Sequence, residues 1–257
     1  MKYIYYTINP RERLFKQLAG FLYFLMLSDI KKRILVLPKF ELSGRYYYFE
    51  DLFDVNKIKE NYNVISSDEY SKDMIEDTEF HLSSFNQLPL VNPNYNKYRK
   101  SLYYNEKYYK IFDQLKEFGF NDPENNPTNS YIAVHWRQDD FLKVRPQVTY
   151  NIDELVKFCK NKLKELNIDN IYISTDCTLE SDLKYINDNL PVFKFPEISD
   201  ITDIEYAIIE SIACSNADYF IGTSHSLYTS NIIGERNKLG RSENKSVLMP
   251  LNVIIEK

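Results

Sequence analysis

The second half of the chain alternates between strand-like and helix-like segments. Four short apolar runs, "YIAVHW", "NIYISTD", "VFKF" and "DYFIGT", have strand character. A helical segment follows each run, at about residues 152–166, 179–189, 203–216 and 227–240. Strands that are joined by helices lie parallel in one sheet, because a helical crossover returns the chain to the same edge. The pattern therefore predicts a doubly wound, Rossmann-like domain at residues 121–257.

The first half opens with the same signal. "KYIYYTI" predicts a strand, "NPRER" a turn, Leu14–Ser28 a helix and "RILVLP" a second strand, which together form a right-handed βαβ unit. This unit predicts a second Rossmann-like domain at residues 1–120. The turn-rich stretch Gly119–Ser130 marks the boundary between the domains. We expect an α/β fold whose two domains face each other across a central cleft for a nucleotide-linked substrate.

Composition excludes several classes of function. A net charge of −5 over 257 residues argues against chain-wide attraction to nucleic acid. The three cysteines, without CxxC spacing, predict neither a disulfide framework nor a zinc site, so we expect a cytoplasmic protein rather than one of the secretory lumen. The apolar run Leu18–Leu27 is about half as long as a bilayer span, and it predicts a buried helix rather than a membrane anchor.

Ligands of open parallel sheets bind outside the carboxyl ends of the strands. The strand ends of this chain carry small, polar or charged residues, while the strand bodies are apolar. The candidate strand ends are Asn9–Arg13, His135–Asp140, Ser174–Cys177 and Gly222–Ser226.

The segment "HWRQDDF" follows the most apolar of these strands. Arg137 is permanently charged and can bind two phosphate oxygens at once, and His135 and Asp140 could orient it or contact a nucleotide. The alternative is a strand end with solvated charges. The segment alone does not decide between the two interpretations.

Two further strand ends carry groups that suit a nucleotide. In "FIGTSHSLYTS", Gly222 permits a tight turn, and hydroxyl groups and free amides at a helix N-terminus can receive a phosphate. Asp176 can accept paired donors from a guanine edge or from a ribose hydroxyl. Helix capping is the alternative for both segments.

Glu12 lies in the turn after the first strand, where it is either a general base or a surface residue. No Asp is followed two positions later by another Asp, so the DxD pattern that holds a divalent cation in nucleotide-sugar enzymes is missing. If the chain transfers a sugar, we expect arginine and helix-terminal amides, and no metal or cofactor, to stabilise the diphosphate leaving group.

These segments resemble, in the same order, those of the GDP-fucose protein O-fucosyltransferases. "HWRQDDF" is similar to the family's H-x-R-x-x-D-F segment, "IYISTD" looks like the strand after it, and Phe220–Gly240 looks like the closing block. The opening "YYTINPRERLFKQLAGFLYFL" resembles the type that modifies thrombospondin-type repeats. The resemblance is weakest between about Leu42 and Asn129.

The resemblance implies a GT-B architecture and the inverting, metal-independent transfer of fucose from GDP-fucose to a hydroxyl of a protein or glycan. Glu12 would be the general base, Arg137 would grip the β-phosphate of the leaving GDP, and Asp176 would read the guanine. The other expected substrate-binding residues are Asn9, Arg13, His135, Asp140, Cys177, Thr223, Ser224, Ser226, Leu227 and Tyr228.

The chain departs from the family's pattern at two places. Arg13–Phe15 replaces a Gly-Phe-Asn segment, and Leu227 stands where a hydroxyl residue is usual. These differences leave two other functions open. One is a non-catalytic protein that binds a nucleotide sugar or glycan, and the other is a transferase that uses a different GDP-sugar.

Overall fold

A computed structural model of the chain describes residues 2–82, 95–120, 130–146, 149–196, 198–241 and 245–249. The chain forms two compact units, Met1–Tyr109 and Lys110–Lys257. The predicted boundary after residue 120 adjoins residues 121–129, which lie outside the described part, and it stays a prediction.

The first unit is built on a parallel sheet. Its elements are β1 (Tyr3–Thr7), α1 (Leu14–Lys31), β2 (Ile34–Val36), β3 (Phe40–Leu42), β4 (Arg45–Tyr47), α2 (Phe49–Leu52), α3 (Val55–Lys59), β5 (Val64–Ile65), a 3₁₀ helix (Lys72–Asp77), β6 (Thr78–Leu82) and α4 (Tyr95–Arg99). Four of the described strands pair in the order β5-β2-β1-β6, all parallel, and β3 and β4 form an antiparallel hairpin. The predicted βαβ unit is therefore present as β1-α1-β2.

Helix α1 carries much of the first unit's core. Phe21, Leu22 and Leu25 are fully buried. The ring of Tyr6 on β1 stacks on Phe24 with centroids 4.1 Å apart, which places the helix against the sheet. The run predicted to be a buried helix is thus confirmed as one. In the described part of the chain, no helix is both long and apolar enough to cross a membrane.

The second unit contains a larger parallel sheet. The elements that follow are α5 (Glu106–Phe120), which begins in the first unit, β7 (Ile132–Trp136), α6 (Asp139–Val144), α7 (Ile152–Leu166), β8 (Ile171–Thr175), α8 (Glu180–Asn189), β9 (Val192–Phe193), α9 (Asp203–Asn216), β10 (Tyr219–Thr223), α10 (Leu227–Lys238) and β11 (Ser246–Met249). The described strands pair in parallel in the order β11-β10-β7-β8-β9. Every residue of β7 and β10 is buried, as expected of strands covered on both faces.

The predicted α/β class is confirmed, and the best-predicted helices have caps that are visible in the sequence. Asn151 accepts a hydrogen bond from the amide of Glu154 at the start of α7. Thr202 and Glu205 form a capping box at the start of α9. Helix α6 and strand β11 were not predicted from the sequence. Both are short, and a six-residue helix gives too few turns for an apolar period to show.

Arg236 of α10 joins three elements of the second unit. Its guanidinium is almost fully buried and donates hydrogen bonds at 2.6–3.3 Å. The acceptors are the carbonyl groups of Cys214, Ser215, Ala217 and Lys245 and the hydroxyl of Ser246. Burial lowers the pKa of Arg236 to about 10, so the side chain stays charged at neutral pH. The residue therefore ties the end of α9 to α10 and to the edge strand β11.

Replacing Arg236 by Met should destabilise the protein by about 3–5 kcal/mol, because several buried carbonyl groups lose their donor. Arg236→Lys should lose less, since an ammonium keeps the charge but cannot reach all the acceptors. Urea unfolding of the whole chain, followed by circular dichroism, measures both losses. Arg241→Met is the matched control, because Arg241 is a partly exposed neighbour. A loss below about 1 kcal/mol in Arg236→Met would contradict the role.

Candidate active site

The end of β7 is held by side chains from both neighbouring strands. The hydroxyl of Thr223 on β10 donates to the carbonyl of His135 at 2.9 Å and accepts from the amide of Arg137 at 3.0 Å. On the other side, the hydroxyl of Thr175 on β8 donates to the carbonyl of Trp136 at 2.6 Å. The backbone between His135 and Arg137 thus keeps its hydrogen bonds where the chain leaves the sheet.

Arg137 and Asp176 form an ion pair at this strand end. The carboxylate of Asp176 lies 3.0 Å from the Arg137 guanidinium, and its other oxygen accepts from the amide of Gln138 at 2.8 Å. The guanidinium also lies over the ring of Phe141. The side chains of the pair remain 15% and 22% exposed. The contact brings the two opposite charges together at the strand end, and the predicted contact of Asp176 with guanine stays a prediction.

His135 is buried and neutral. Its Nδ1 lies 2.7 Å from the hydroxyl of Thr229, and its ring meets the ring of Tyr228 edge-on with centroids 4.7 Å apart. Burial, together with the positive charge of Arg137, lowers the pKa of His135 to about 3. At physiological pH this imidazole is therefore a neutral hydrogen-bonding group and not a cation for phosphate.

The turn between β10 and α10 has a fixed backbone. The amide of Ser224 donates to the carbonyl of Met249 at 2.9 Å, and His225 adopts a left-handed conformation. Ser226 then caps α10 by accepting from the amide of Thr229. A Cβ atom on Gly222 would lie 2.4 Å from the Thr229 side chain, so only glycine lets the helix pack this closely. The capping interpretation of Ser226 is confirmed, and phosphate binding by this segment stays a prediction.

The remaining predicted residues of the second unit have varied surroundings. Leu227 is the first residue of α10, and the hydroxyl of Tyr228 donates to the carbonyl of Ala207 on α9. Cys177 is a buried free thiol whose pKa is raised by that burial, so it is not a reactive nucleophile. Asp140 belongs to α6, and its side chain lies outside the described part of the structure.

Two further charged residues were not predicted. Arg145, just after α6, donates to the carbonyl of His225 at 2.9 Å, and its guanidinium lies over the ring of Phe141, as that of Arg137 does. Glu210 on α9 accepts from the hydroxyl of Tyr172 on β8 at 3.0 Å. The sequence signal for Glu210 is that it is the one acid in the mostly apolar run Tyr206–Cys214, and no comparable signal marks Arg145.

Burial raises the pKa of Glu210 to about 7, although hydrogen bonds from Tyr172 and Ser174 oppose the shift. The carboxyl group can therefore donate or accept a hydrogen bond near neutral pH. Tyr206 and Cys214 also lie close, and burial raises the pKa of each, so neither ionises in the same range.

Asn9, Glu12 and Arg13 form a separate group in the first unit, in the turn after β1. The side chain of Asn9 accepts from the amide of Arg11, and its carbonyl accepts from the amide of Glu12, both at 3.1 Å. The carboxylate of Glu12 lies 3.2 Å from the Lys16 ammonium and is 12% exposed. Arg13 is the N-cap residue of α1, and its exposed side chain makes no cap hydrogen bond. The predicted base and its two neighbours therefore share one tight turn.

The chain matches a known protein family over the region that contains the candidate site. A sequence model described as "GDP-fucose protein O-fucosyltransferase" matches residues 78–239, which is more than half of the chain. The chain belongs to this family. The matched part contains the Arg137–Asp176 pair and the turn between β10 and α10. The family predicted from the ordered segments is confirmed.

Relatives in animals carry the name "GDP-fucose protein O-fucosyltransferase 2". The Caenorhabditis elegans protein is 33% identical over 113 residues, and the Homo sapiens protein is 29% identical over 114 residues. In each case the alignment covers 43% of this chain and 27% of the relative. The matched region therefore spans about a quarter of these longer family members.

Solved structures of fucosyltransferases share the fold. POFUT1 in complex with GDP-fucose superposes with a TM-score of 0.74 at 14% identity, covering 96% of this chain and 97% of that one. The α-1,6-fucosyltransferase NodZ, soaked with GDP-fucose, gives a TM-score of 0.61 at 13% identity, covering 91% and 92%. This likeness confirms the predicted GT-B-like fold of this family member.

Stability should fall with rising pH because of Glu210. Its pKa is near 4.5 in the unfolded chain and about 7 in the folded one, so the folded state binds the extra proton between these values. The stabilisation is complete below pH 4.5 and is lost as pH rises through 7, a change of about 3 kcal/mol. Glu210→Gln should remove it.

Urea unfolding of the wild type and of Glu210→Gln at pH 5 and pH 8 measures this difference. The variant should gain stability relative to the wild type at pH 8, and the comparison cancels the opposite contribution of His135. An equal difference between the two proteins at both pH values would show that Glu210 does not titrate as described.

Proposed function

We propose that the chain transfers fucose from GDP-fucose to a hydroxyl group of a protein or glycan, with inversion at the anomeric carbon and without a metal ion. The observation that carries this proposal is the placement of Arg137. It is a partly exposed cation at the carboxyl end of the central strand, where parallel sheets bind ligands. The family to which the chain belongs is described by GDP-fucose, and this supports GDP-fucose as the sugar donor.

Arg137 would stabilise the leaving group. As the bond between the fucose and the diphosphate breaks, negative charge grows on the β-phosphate, and a preorganised guanidinium lowers the energy of that state. A guanidinium carries five N–H donors, so it can keep its contact with Asp176 while it binds phosphate oxygens. The amides at the start of α10 can hold further phosphate oxygens, because the helix N-terminus favours an anion.

Glu12 would activate the acceptor. Its carboxylate takes the proton from the acceptor hydroxyl while the hydroxyl oxygen forms a bond to the anomeric carbon and GDP departs. One displacement of this kind inverts the configuration at that carbon. The contact with Lys16 holds the Glu12 carboxylate in a defined position before the acceptor arrives.

Nucleotide binding tests the donor. Calorimetry in the presence of EDTA should show GDP binding well above UDP and ADP, because the proposed site reads the base and needs no metal. A panel of nucleotide sugars, followed by detection of the released nucleoside diphosphate, then identifies the sugar.

Equal binding of all three nucleotides, or of none, rejects the proposal. Turnover of GDP-mannose instead of GDP-fucose identifies a different GDP-sugar transferase. Tight GDP-fucose binding without transfer or hydrolysis identifies a non-catalytic binding protein.

Arg137→Lys should lower kcat by about 10²–10³-fold, because an ammonium cannot reproduce the bidentate contact with phosphate. Steady-state kinetics with GDP-fucose and thermal melts of the variant measure the change and confirm the fold. Arg241→Lys, a conservative change at a partly exposed arginine, serves as the control. Unchanged kinetics in Arg137→Lys would remove Arg137 from its assigned task.

A further inference from the structure

Gln17 is a buried amide in the first turns of α1, in a helix whose inner face is otherwise mostly apolar. Its side chain is directed at the turn that carries Glu12. We propose that Gln17 is a positioning residue for Glu12, which it holds through the main chain. This inference rests on the proposed function of Glu12 as the general base.

The Gln17 side chain contacts backbone carbonyl oxygens of two separate segments. Its Nε2 lies 2.6 Å from the carbonyl oxygen of Glu12, 2.9 Å from that of Glu41 on β3, and 3.5 Å from that of Asn9. Carbonyl groups only accept hydrogen bonds, so the NH₂ end of the amide must face them. One side chain thus joins the turn after β1 to the β3–β4 hairpin.

The Glu12 turn has little regular structure of its own to fix it. Within the described turn, the backbone amides of Arg11 and Glu12 both bond to Asn9, Pro10 and Arg11 are exposed, and the Lys16 contact reaches the Glu12 carboxylate but not its main chain. The N-cap residue Arg13 gives no side-chain cap. The bond from Gln17 to the Glu12 carbonyl therefore anchors the turn to the buried part of the unit, and it limits where the Glu12 carboxylate can move.

The other end of the amide shows that Gln17 is costly for folding. Its Oε1 is buried and has no hydrogen-bond partner in the described part of the chain. A buried acceptor without a partner costs about 1–3 kcal/mol, so an apolar side chain of the same length would suit the helix better. The two N–H donors of the amide offset this cost chiefly through the carbonyls of Glu12 and Glu41, and the carbonyl of Asn9 at 3.5 Å is a weaker third contact.

Substitution of Gln17 tests the proposal. Gln17→Met keeps the length of the side chain and suits the apolar inner face of α1, but it removes the N–H donors. We expect kcat to fall by about 10–10²-fold, because a base displaced by about 1 Å loses its alignment with the acceptor hydroxyl. The KM for GDP-fucose and the melting temperature should stay close to wild type. Gln17→Asn, which keeps the amide but shortens its reach, should lose kcat similarly.

A control on the same helix separates packing from positioning. Ser28 is buried near the far end of α1, where its hydroxyl bonds the carbonyl of Leu25. Ser28→Ala should alter stability slightly and leave kcat unchanged. If Ser28→Ala lowers kcat as much as Gln17→Met, the effect comes from the helix as a whole and the proposal is wrong.

A double-mutant cycle shows whether Gln17 acts through Glu12. Glu12→Gln should lower kcat by about 10²–10³-fold, and adding Gln17→Met to it should cause no further loss. A further loss equal to that of the single Gln17→Met variant would overturn the proposal. Amide hydrogen exchange should also rise at residues 11 and 12 in Gln17→Met, whereas unchanged exchange would overturn it independently of activity.

The outcomes separate this inference from the proposed function. A wild type that turns over no nucleotide sugar overturns both. Full turnover in Glu12→Gln removes the base assignment, and with it the reason to position Glu12. An active wild type with a defective Glu12→Gln and a fully active Gln17→Met overturns only the inference about Gln17.

Discussion

The second unit depends on one buried hydroxyl at the end of β10. Thr223 donates to the carbonyl of His135, accepts from the amide of Arg137, and lies 3.4 Å from the hydroxyl of Tyr150. Backbone groups that leave a sheet in a buried region need new partners, since an unpaired group is costly there. By supplying them, Thr223 lets β7 end in a charged residue without opening the sheet. Gly222 beside it lets α10 pack directly on the strand.

This strand end separates two chemical environments that lie only two residues apart. His135 is enclosed by α10 and stays neutral, while Arg137 emerges beside Asp176 and keeps its charge. The charge on Arg137 contributes to the low pKa of His135, so the two residues are coupled. In the proposed function, the two residues would share the binding of an anionic donor, because the neutral imidazole can form directional hydrogen bonds while the guanidinium neutralises charge.

The predictable parts of this protein are those encoded by neighbouring residues. Caps such as Asn151 and Thr202 start helices within a few positions, and apolar runs that end in polar residues mark the strand ends. The contacts that define the site are not local. Thr175 meets Trp136, Arg145 meets His225, and Asp176 meets Arg137 across separate segments of the chain. Asp176 is therefore predictable as a candidate site residue, but its partner depends on which strands become neighbours.

Isolated polar residues inside apolar helices carry a signal that sequence analysis can use. Gln17 in α1 and Glu210 in α9 lie among apolar residues. Gln17 contacts the turn after β1 and the hairpin strand β3, and Glu210 contacts Tyr172 on β8. Arg236 is a buried polar residue of a different kind, because its partners are carbonyls at the end of a helix and groups on an edge strand. Every buried polar group needs partners, so burial alone does not indicate function. The distinguishing property is where the partners lie: a contact to the turn that carries the proposed base favours function for Gln17, whereas carbonyl acceptors at a helix end favour structure for Arg236.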